Sequence, residues 1–242
     1  MRYLYQHFFW GKSGILLETS GKKFAPLSEQ ALLRLQNDIL NGTLMPGLQL
    51  KLDVLKDYYG FSSSPLREAL NRLTADGLVI NEDRRGFFVA PVSIEDIQEI
   101  TRLRCLIESE ALSESILNGD DAWEAQIIAS YYRLERVESR LSSEKPFISD
   151  TEWASLHQEF HNALLAACNS KKLLQIRTTL FYQAERYWHL WANANPNPEN
   201  RGSKHERLRN AVLDRDFVRS SDLLKSHFSQ TTEIVIKYLE QK

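Results

Sequence analysis

The chain has 242 residues, of which 43% are hydrophobic and 26% charged, and its formal net charge is -2. That is enough apolar material for two ordinary domains or one large one, and too much for a disordered chain. The balance excludes a uniformly basic protein that coats nucleic acid, but not one that binds DNA through a local patch.

The first residues, Met1 to Ser20, are rich in aromatic and apolar side chains. Gly11 and Lys12 interrupt them and no small-residue cleavage site follows, so they do not read as a secretion signal. Residues 1–24 are expected to be an N-terminal extension, or upstream sequence from a misplaced start. No later stretch approaches the length needed to span a bilayer. Cys105 and Cys168 sit in apolar helical patterns without ligand spacing, which suits a reducing cytoplasm better than a disulfide framework.

Residues 25–92 read as one small module. Ser28 to Leu40 has helical periodicity through Leu32, Leu35, Ile39 and Leu40, with Ser28 as the expected N-cap and Gly42 as the stop. Met45-Pro46-Gly47 is a turn. Leu52 to Tyr59 is a second helix ended by Gly60. A third opens at Ser62-Ser63-Ser64-Pro65, turns Leu66, Leu70 and Leu73 inward, and stops at Gly77. Leu78–Ile80 and Phe87–Val89 are strand candidates around the turn Asn81–Gly86. Two short helices across a tight turn, then a hairpin, outline a winged helix-turn-helix. The third helix would enter the major groove of double-stranded DNA. Its opening hydroxyls and free N–H groups suit phosphates and base edges, and Arg67 and Arg72 lie along it. Arg84, Arg85 and Gly86 form the wing tip, where glycine permits close approach to the nucleic acid.

From Ser93 onward everything reads helical. Ser93 followed by Asp96 resembles a capping box. Apolar stripes run through Ile94, Ile97, Ile100, Leu103 and Ile107, then Trp123, Ile127, Tyr131, Leu134, Val137 and Leu141, then Trp153, Leu156, Phe160 and Leu164. Further helices are expected at about 173–191, 200–213 and 216–240, with breaks at Gly119-Asp120, Lys145-Pro146 and 193–198. The fold class is therefore mainly α, a winged helix-turn-helix followed by an all-α antiparallel bundle over 93–242.

Four histidines stand out by position. His157 and His161 share a helix face, and His205 and His227 lie near the middles of later helices. Imidazoles meeting in a bundle core can hold a divalent metal, while an i,i+4 pair can equally be a surface feature. Arg102, Arg104 and Arg186 are candidates for a bidentate grip on a ligand carboxylate. Arg104 precedes Glu108 by four residues, so an ordinary helical ion pair is the alternative. Phe181, Tyr182, Tyr187, Trp188 and Trp191 suit core or dimer packing better than a ligand cage.

Pro46-Gly47, the run Tyr59 to Leu78 with its Ser62-x-x-Pro65-Leu66-Arg67-Glu68-Ala69-Leu70 core, and Arg85-Gly86-Phe87-Phe88-Val89 resemble the winged helix of the GntR family. The resemblance implies DNA contacts from Ser62, Ser64 and Arg67. This sequence departs from the family in placing Ser63 and Asp53 where arginines are usual, and residues 25–92 hold seven Lys and Arg against eight Asp and Glu. Binding must then rest on a few well-placed arginines. Leu103 to Glu108, His157 to His161, His205 to Leu208, Asp214-Arg215-Asp216 and His227 resemble the ligand-binding domain of the FadR subgroup in its VanR-type form, known as FCD. That resemblance implies a metal held by His161, His205 and His227 with a small carboxylate effector beside it. His157 stands where the family has Asp. An all-imidazole set favours zinc or nickel over magnesium, against the alternative of an empty, hydrogen-bonded cluster. The resemblance further implies a homodimer on a pseudo-palindromic operator, repressing until a metabolite releases it, with no membrane partner. The competing reading is a helical metalloenzyme acting on a small acid, with Glu159 and Glu206 as the nearest carboxylates but neither at a clear general-base spacing.

Overall fold

The computed structural model describes residues 25–140, 151–192 and 201–241. The expected extension 1–24, the break at Lys145-Pro146, Leu141 and the loop 193–198 lie outside them, as does the side chain of Trp191.

The N-terminal part contains α1 (Leu27–Leu40), α2 (Leu52–Tyr59), α3 (Ser63–Ala75), β1 (Val79–Glu82) and β2 (Gly86–Val89). The strands pair antiparallel, with Val79 opposite Val89 and Glu82 opposite Gly86. Each helix buries one stripe: Leu32, Leu35 and Ile39 of α1 meet Leu66, Leu70 and Leu73 of α3, and Leu55 and Tyr59 of α2 close the side. Asp38 accepts a 2.5 Å hydrogen bond from the Tyr59 hydroxyl, pinning α2 to α1. Ser28 does not cap α1. The helix begins one residue earlier, and the Pro26 carbonyl accepts from the Glu29 and Gln30 amides instead. Gly60 adopts the left-handed conformation that ends α2 (φ 72°).

A second apolar core fills the C-terminal part. It is built by α4 (Ile94–Asn118), α5 (Asp121–Arg140), α6 (Thr151–Leu164), α7 (Lys171–Ala192), α8 (Arg201–Leu213) and α9 (Phe217–Glu240). Helix α4 packs between α7 and α9, while α5 packs on α6 and α8. The Ser93 hydroxyl accepts from the Asp96 amide, as the capping pattern predicts, and Asp216 caps α9 the same way at Arg219. Arg215 is left-handed (φ 57°) and its guanidinium holds the turn between α4 and α5 through the Ile116 carbonyl at 2.6 Å and the Gly119 carbonyl at 3.0 Å.

The inner stripe of α4 corrects the sequence reading. Ile97 and Ile100 are buried as expected, but the stripe continues through Arg104 and Glu108, and leaves Leu103 and Ile107 only half-buried. The two charges can lie inside because they satisfy each other, with Arg104 Nε donating to Glu108 at 2.8 Å.

Candidate DNA interface and histidine site

The first turn of α3 is open. Ser62 occupies the N-cap position with extended backbone, yet no side chain caps the helix, so the Ser62 and Ser64 hydroxyls and the first amides face outward. Arg67 and Asn71 lie one turn apart on the side of α3 opposite its buried leucines. Together with Gln49, Lys51, Asn81, Arg85 and Gly86 they line a groove between α3 and the hairpin. Gln49 donates to the Arg85 carbonyl at 2.8 Å, fixing the wing against the loop before α2. Arg84 (φ 62°) and Gly86 (φ 87°) let the hairpin reverse within three residues. Arg85 pairs with Glu82 and lies over the Phe88 ring at 5.1 Å. Of the predicted DNA contacts, Arg67, Arg85 and Gly86 meet in this groove, while Ser62, Ser64 and Arg84 are exposed and Ser63 is half-buried. Arg72 is turned the other way and pairs with Glu29 at 2.7 Å. Sequence reasoning missed Gln49, Lys51 and Asn71. Only Asn71 had a signal, its i+4 relation to Arg67.

In the bundle, α6 presents His157 and His161, α8 presents His205 and α9 presents His227. One ring nitrogen from each lies within 4.8 Å of all the others. His161 and His205 are 3% and 1% exposed, and their Nε2 atoms have no hydrogen-bond partner among the described residues. Buried polar atoms left unpaired at a point of convergence are what a metal ligand set looks like without its ion. Burial, then the neighbouring His157, His227 and His205, hold the His161 pKa well below the usual imidazole range, so it stays neutral, as a ligand must be. Two contacts support the set from behind. His205 Nδ1 lies 3.3 Å from Glu138 Oε1, which also accepts from Trp153 Nε1 at 3.2 Å. The Trp153 ring stacks on His157, with centroids 4.7 Å apart and planes inclined by 18°. The residues present fit a divalent ion bound by nitrogen.

Beside the imidazoles lies a small cavity lined by Arg104, His157, His161, Phe181, Glu185, Trp188, His227, Phe228 and Thr231. Arg104 crosses the Phe228 ring at 4.0 Å. Its Nε is taken by Glu108, which leaves the terminal Nη edge as the part able to grip a carboxylate. Behind it, Arg177 is buried between Glu108 (3.5 Å) and Asn162 (2.5 Å), with Nη2 unpaired among the described residues. Burial pushes the Glu185 carboxyl up to about 7, against the pull of Arg104 and Arg177. Arg102 is elsewhere: it is exposed and sits 3.7 Å from Glu99. Glu159 pairs with Arg133, and Glu206 lies 3.7 Å from Arg209, both at the surface. Glu138, Arg177 and Glu185 had no local sequence signal.

Arg186 lies at the junction of the two cores. Its Nη1 donates to the Ala90 carbonyl at 2.9 Å and its Nη2 lies 3.7 Å from Asp96. Its neighbour Tyr187 donates to Asp96 and accepts from the Ser93 amide at 3.1 Å. Gln183 donates to the Asp76 carbonyl at 2.9 Å, directly over Gly77, where a Cβ would stand 2.4 Å from Gln183 Nε2. Helix α7 thus turns Phe181, Glu185 and Trp188 toward the histidine cavity and Gln183, Arg186 and Tyr187 toward the end of α3, the end of the wing and the start of α4. Of the aromatic set, Phe181 and Tyr187 are buried, Tyr182 packs on the winged-helix core and Trp188 lines the cavity.

Residues 27–89 match the model of bacterial regulatory proteins of the gntR family, and residues 99–230 match the FCD domain. The HTH-type transcriptional regulator BphR of Paraburkholderia xenovorans is 36% identical over 212 residues, 88% of this chain and 86% of that protein. The HTH-type transcriptional repressor GlaR of Escherichia coli is 35% identical over 205 residues, 83% of this chain and 92% of that protein. Among solved structures, E. coli McbR/YncC superposes with a TM-score of 0.73 at 22% identity, covering 90% of this chain and all of that one. No helix among the described residues is long and apolar enough to cross a membrane.

Proposed function

The chain belongs to the GntR family of bacterial regulatory proteins and carries an FCD domain, and from that premise we propose that this transcriptional regulator is a cytoplasmic, homodimeric repressor released by a small carboxylate. Residues 25–92 form its DNA-binding module and 93–242 its sensing and dimerisation module. Repression is favoured over activation because GlaR, 35% identical, is a repressor. A metalloenzyme reading has less support, since the relatives are regulators.

On DNA, the open first turn of α3 presents Ser62, Ser63 and Ser64 to the phosphates, and Arg67 reaches into the major groove. Arg84, Arg85 and Gly86 follow the adjacent backbone. Lys51 and Asn71 complete the groove in the place of Arg72, which is held by Glu29. In the bundle, His157, His161, His205 and His227 would hold a zinc or nickel ion, which supplies a fixed positive charge at the cavity wall. Arg104 binds the effector carboxylate through its free edge, and Phe181, Trp188 and Phe228 shape the apolar sides. Arg186 serves the coupling instead of the ligand.

The observation that carries this reading is the double duty of α7. One face lines the effector cavity and the adjacent face holds α3, the wing and α4 through Gln183, Arg186 and Tyr187. A shift of α7 on ligand binding therefore re-aims the DNA module, and coupling must be reciprocal. The test is anisotropy of a labelled fragment from upstream of the protein's own gene, titrated with zinc-loaded protein across a panel of small carboxylates. Release of a saturable, sequence-dependent complex by one of them is the expected result. Binding that no sequence competitor distinguishes would overturn the regulator of a specific operator, and release by none would overturn the carboxylate.

A further inference from the structure

The four-imidazole set has a coordination consequence that deepens the metal reading just given and rests on it. Zinc held by protein nitrogen is four-coordinate; sites that accept an outside ligand keep one position open, and closed sites supply all four. Here four side chains converge, with ligand atoms within 4.8 Å of one another. His157 and His227 are the two half-buried members, and both face the cavity shared with Arg104, Glu185 and Trp188; of the two, His157 lies on α6, four residues after Trp153. It cannot readily step aside. Trp153, buried one turn earlier on the same helix, stacks on its ring at 4.7 Å and is itself fixed through Nε1 to Glu138.

The ion's charge has to be met elsewhere. Four neutral imidazoles leave the ion's double charge uncompensated, whereas a carboxylate ligand would offset part of it. The compensating carboxylate sits one shell out, as Glu138 behind His205 at 3.3 Å. An anion drawn to this field meets, in the same cavity, the terminal edge of Arg104, whose Nε is already committed to Glu108.

We propose that His157 closes the coordination sphere of a zinc ion, so that the anionic effector is gripped by Arg104 and never bonds to the metal. The ion is then a fixed part of the wall, and effector selectivity is set by Arg104, Glu185 and the aromatic side chains.

The test uses cobalt(II) as a spectroscopic stand-in for zinc in the full chain, with azide and acetate as probes of an open position. The wild type is expected to take up one cobalt ion with the intense visible bands of a four-coordinate site, and neither anion should change them. His157→Ala should keep cobalt on three imidazoles and a water, and there azide should alter the bands. A six-coordinate spectrum, or a wild-type spectrum that azide or acetate shifts, would overturn the inference and leave the metal site standing. No cobalt uptake would overturn the metal reading and the inference with it. X-ray absorption on the zinc-loaded wild type, which needs no variant, should count four nitrogen neighbours at about 2.0 Å with and without acetate; a fifth or sixth neighbour would refute closure.

Discussion

Glu138→Gln isolates the support behind His205. The substitution keeps the shape and an acceptor for Trp153 Nε1, and removes the charge 3.3 Å from His205 Nδ1. Neither ring nitrogen of His205 has a hydrogen bond among the described residues, and the Glu138 carboxylate is the charge placed to favour the proton on Nδ1 and so free Nε2 for a metal. Loss of such a partner weakens metal binding roughly 10- to 100-fold. Converted at about 1.4 kcal/mol per tenfold, this is about 1.4 to 2.8 kcal/mol. Under saturating free zinc the same energy is missing from the stabilisation by zinc. In a bundle this size, at roughly 2–4 °C per kcal/mol, the zinc-induced rise in Tm should be about 3 to 11 °C smaller than in the wild type. Competition against a chelator of known affinity gives the constant directly, and the Tm difference must agree with it. An unchanged zinc affinity in a folded Glu138→Gln protein would refute the reasoning, because His205 would then be oriented by packing alone.

The remaining predictions concern the DNA face, the cavity and the junction. Arg67→Ala should weaken operator binding and lower the slope of log K against log salt by about 1. Arg72→Ala, whose pair with Glu29 is half exposed, should leave that slope unchanged and cost about 1 kcal/mol of stability or less. The Glu185 carboxyl is raised to about 7 when folded, above its unfolded value, so it contributes stability at low pH that is lost as pH rises through 7. Glu185→Gln should therefore gain on the metal-free wild type between about pH 4.5 and 7, read as a Tm difference that widens with pH; a constant difference would exclude that titration. Arg186→Met should leave unliganded DNA affinity within a few-fold while shrinking the effector's influence on it, which is normally about 5- to 150-fold, toward none. Anisotropy with and without effector reads both, and full coupling retained in Arg186→Met would remove α7 from the route.

What could be read in the sequence was what local rules decide. Ser93 and Asp96 are three residues apart, and the cap between them forms. Gly60 and Gly77 stop helices where left-handed backbone is needed, and each does so with φ 72°. The stripe Leu66, Leu70 and Leu73 needs only helical periodicity. Spacing alone gave half of the histidine site, the pair on α6. His205 and His227 stand out only as mid-helix positions, and their meeting with that pair is implied by the resemblance, since nothing local says that helices α8 and α9 return to the same place. The failures share a cause. The sequence offers Arg104 as a carboxylate grip or as a helical partner of Glu108, but not that the pair is buried with Arg177 joining it from 69 positions away. Glu138 meets His205 from another helix for the same reason, and Ser28 lost its cap to a proline carbonyl that no side-chain rule weighs. A charge inside a bundle is therefore legible only once its partner is in place. In this chain the residues that tune the histidine site are of that kind, so the ligands could be expected from sequence and their surroundings could not.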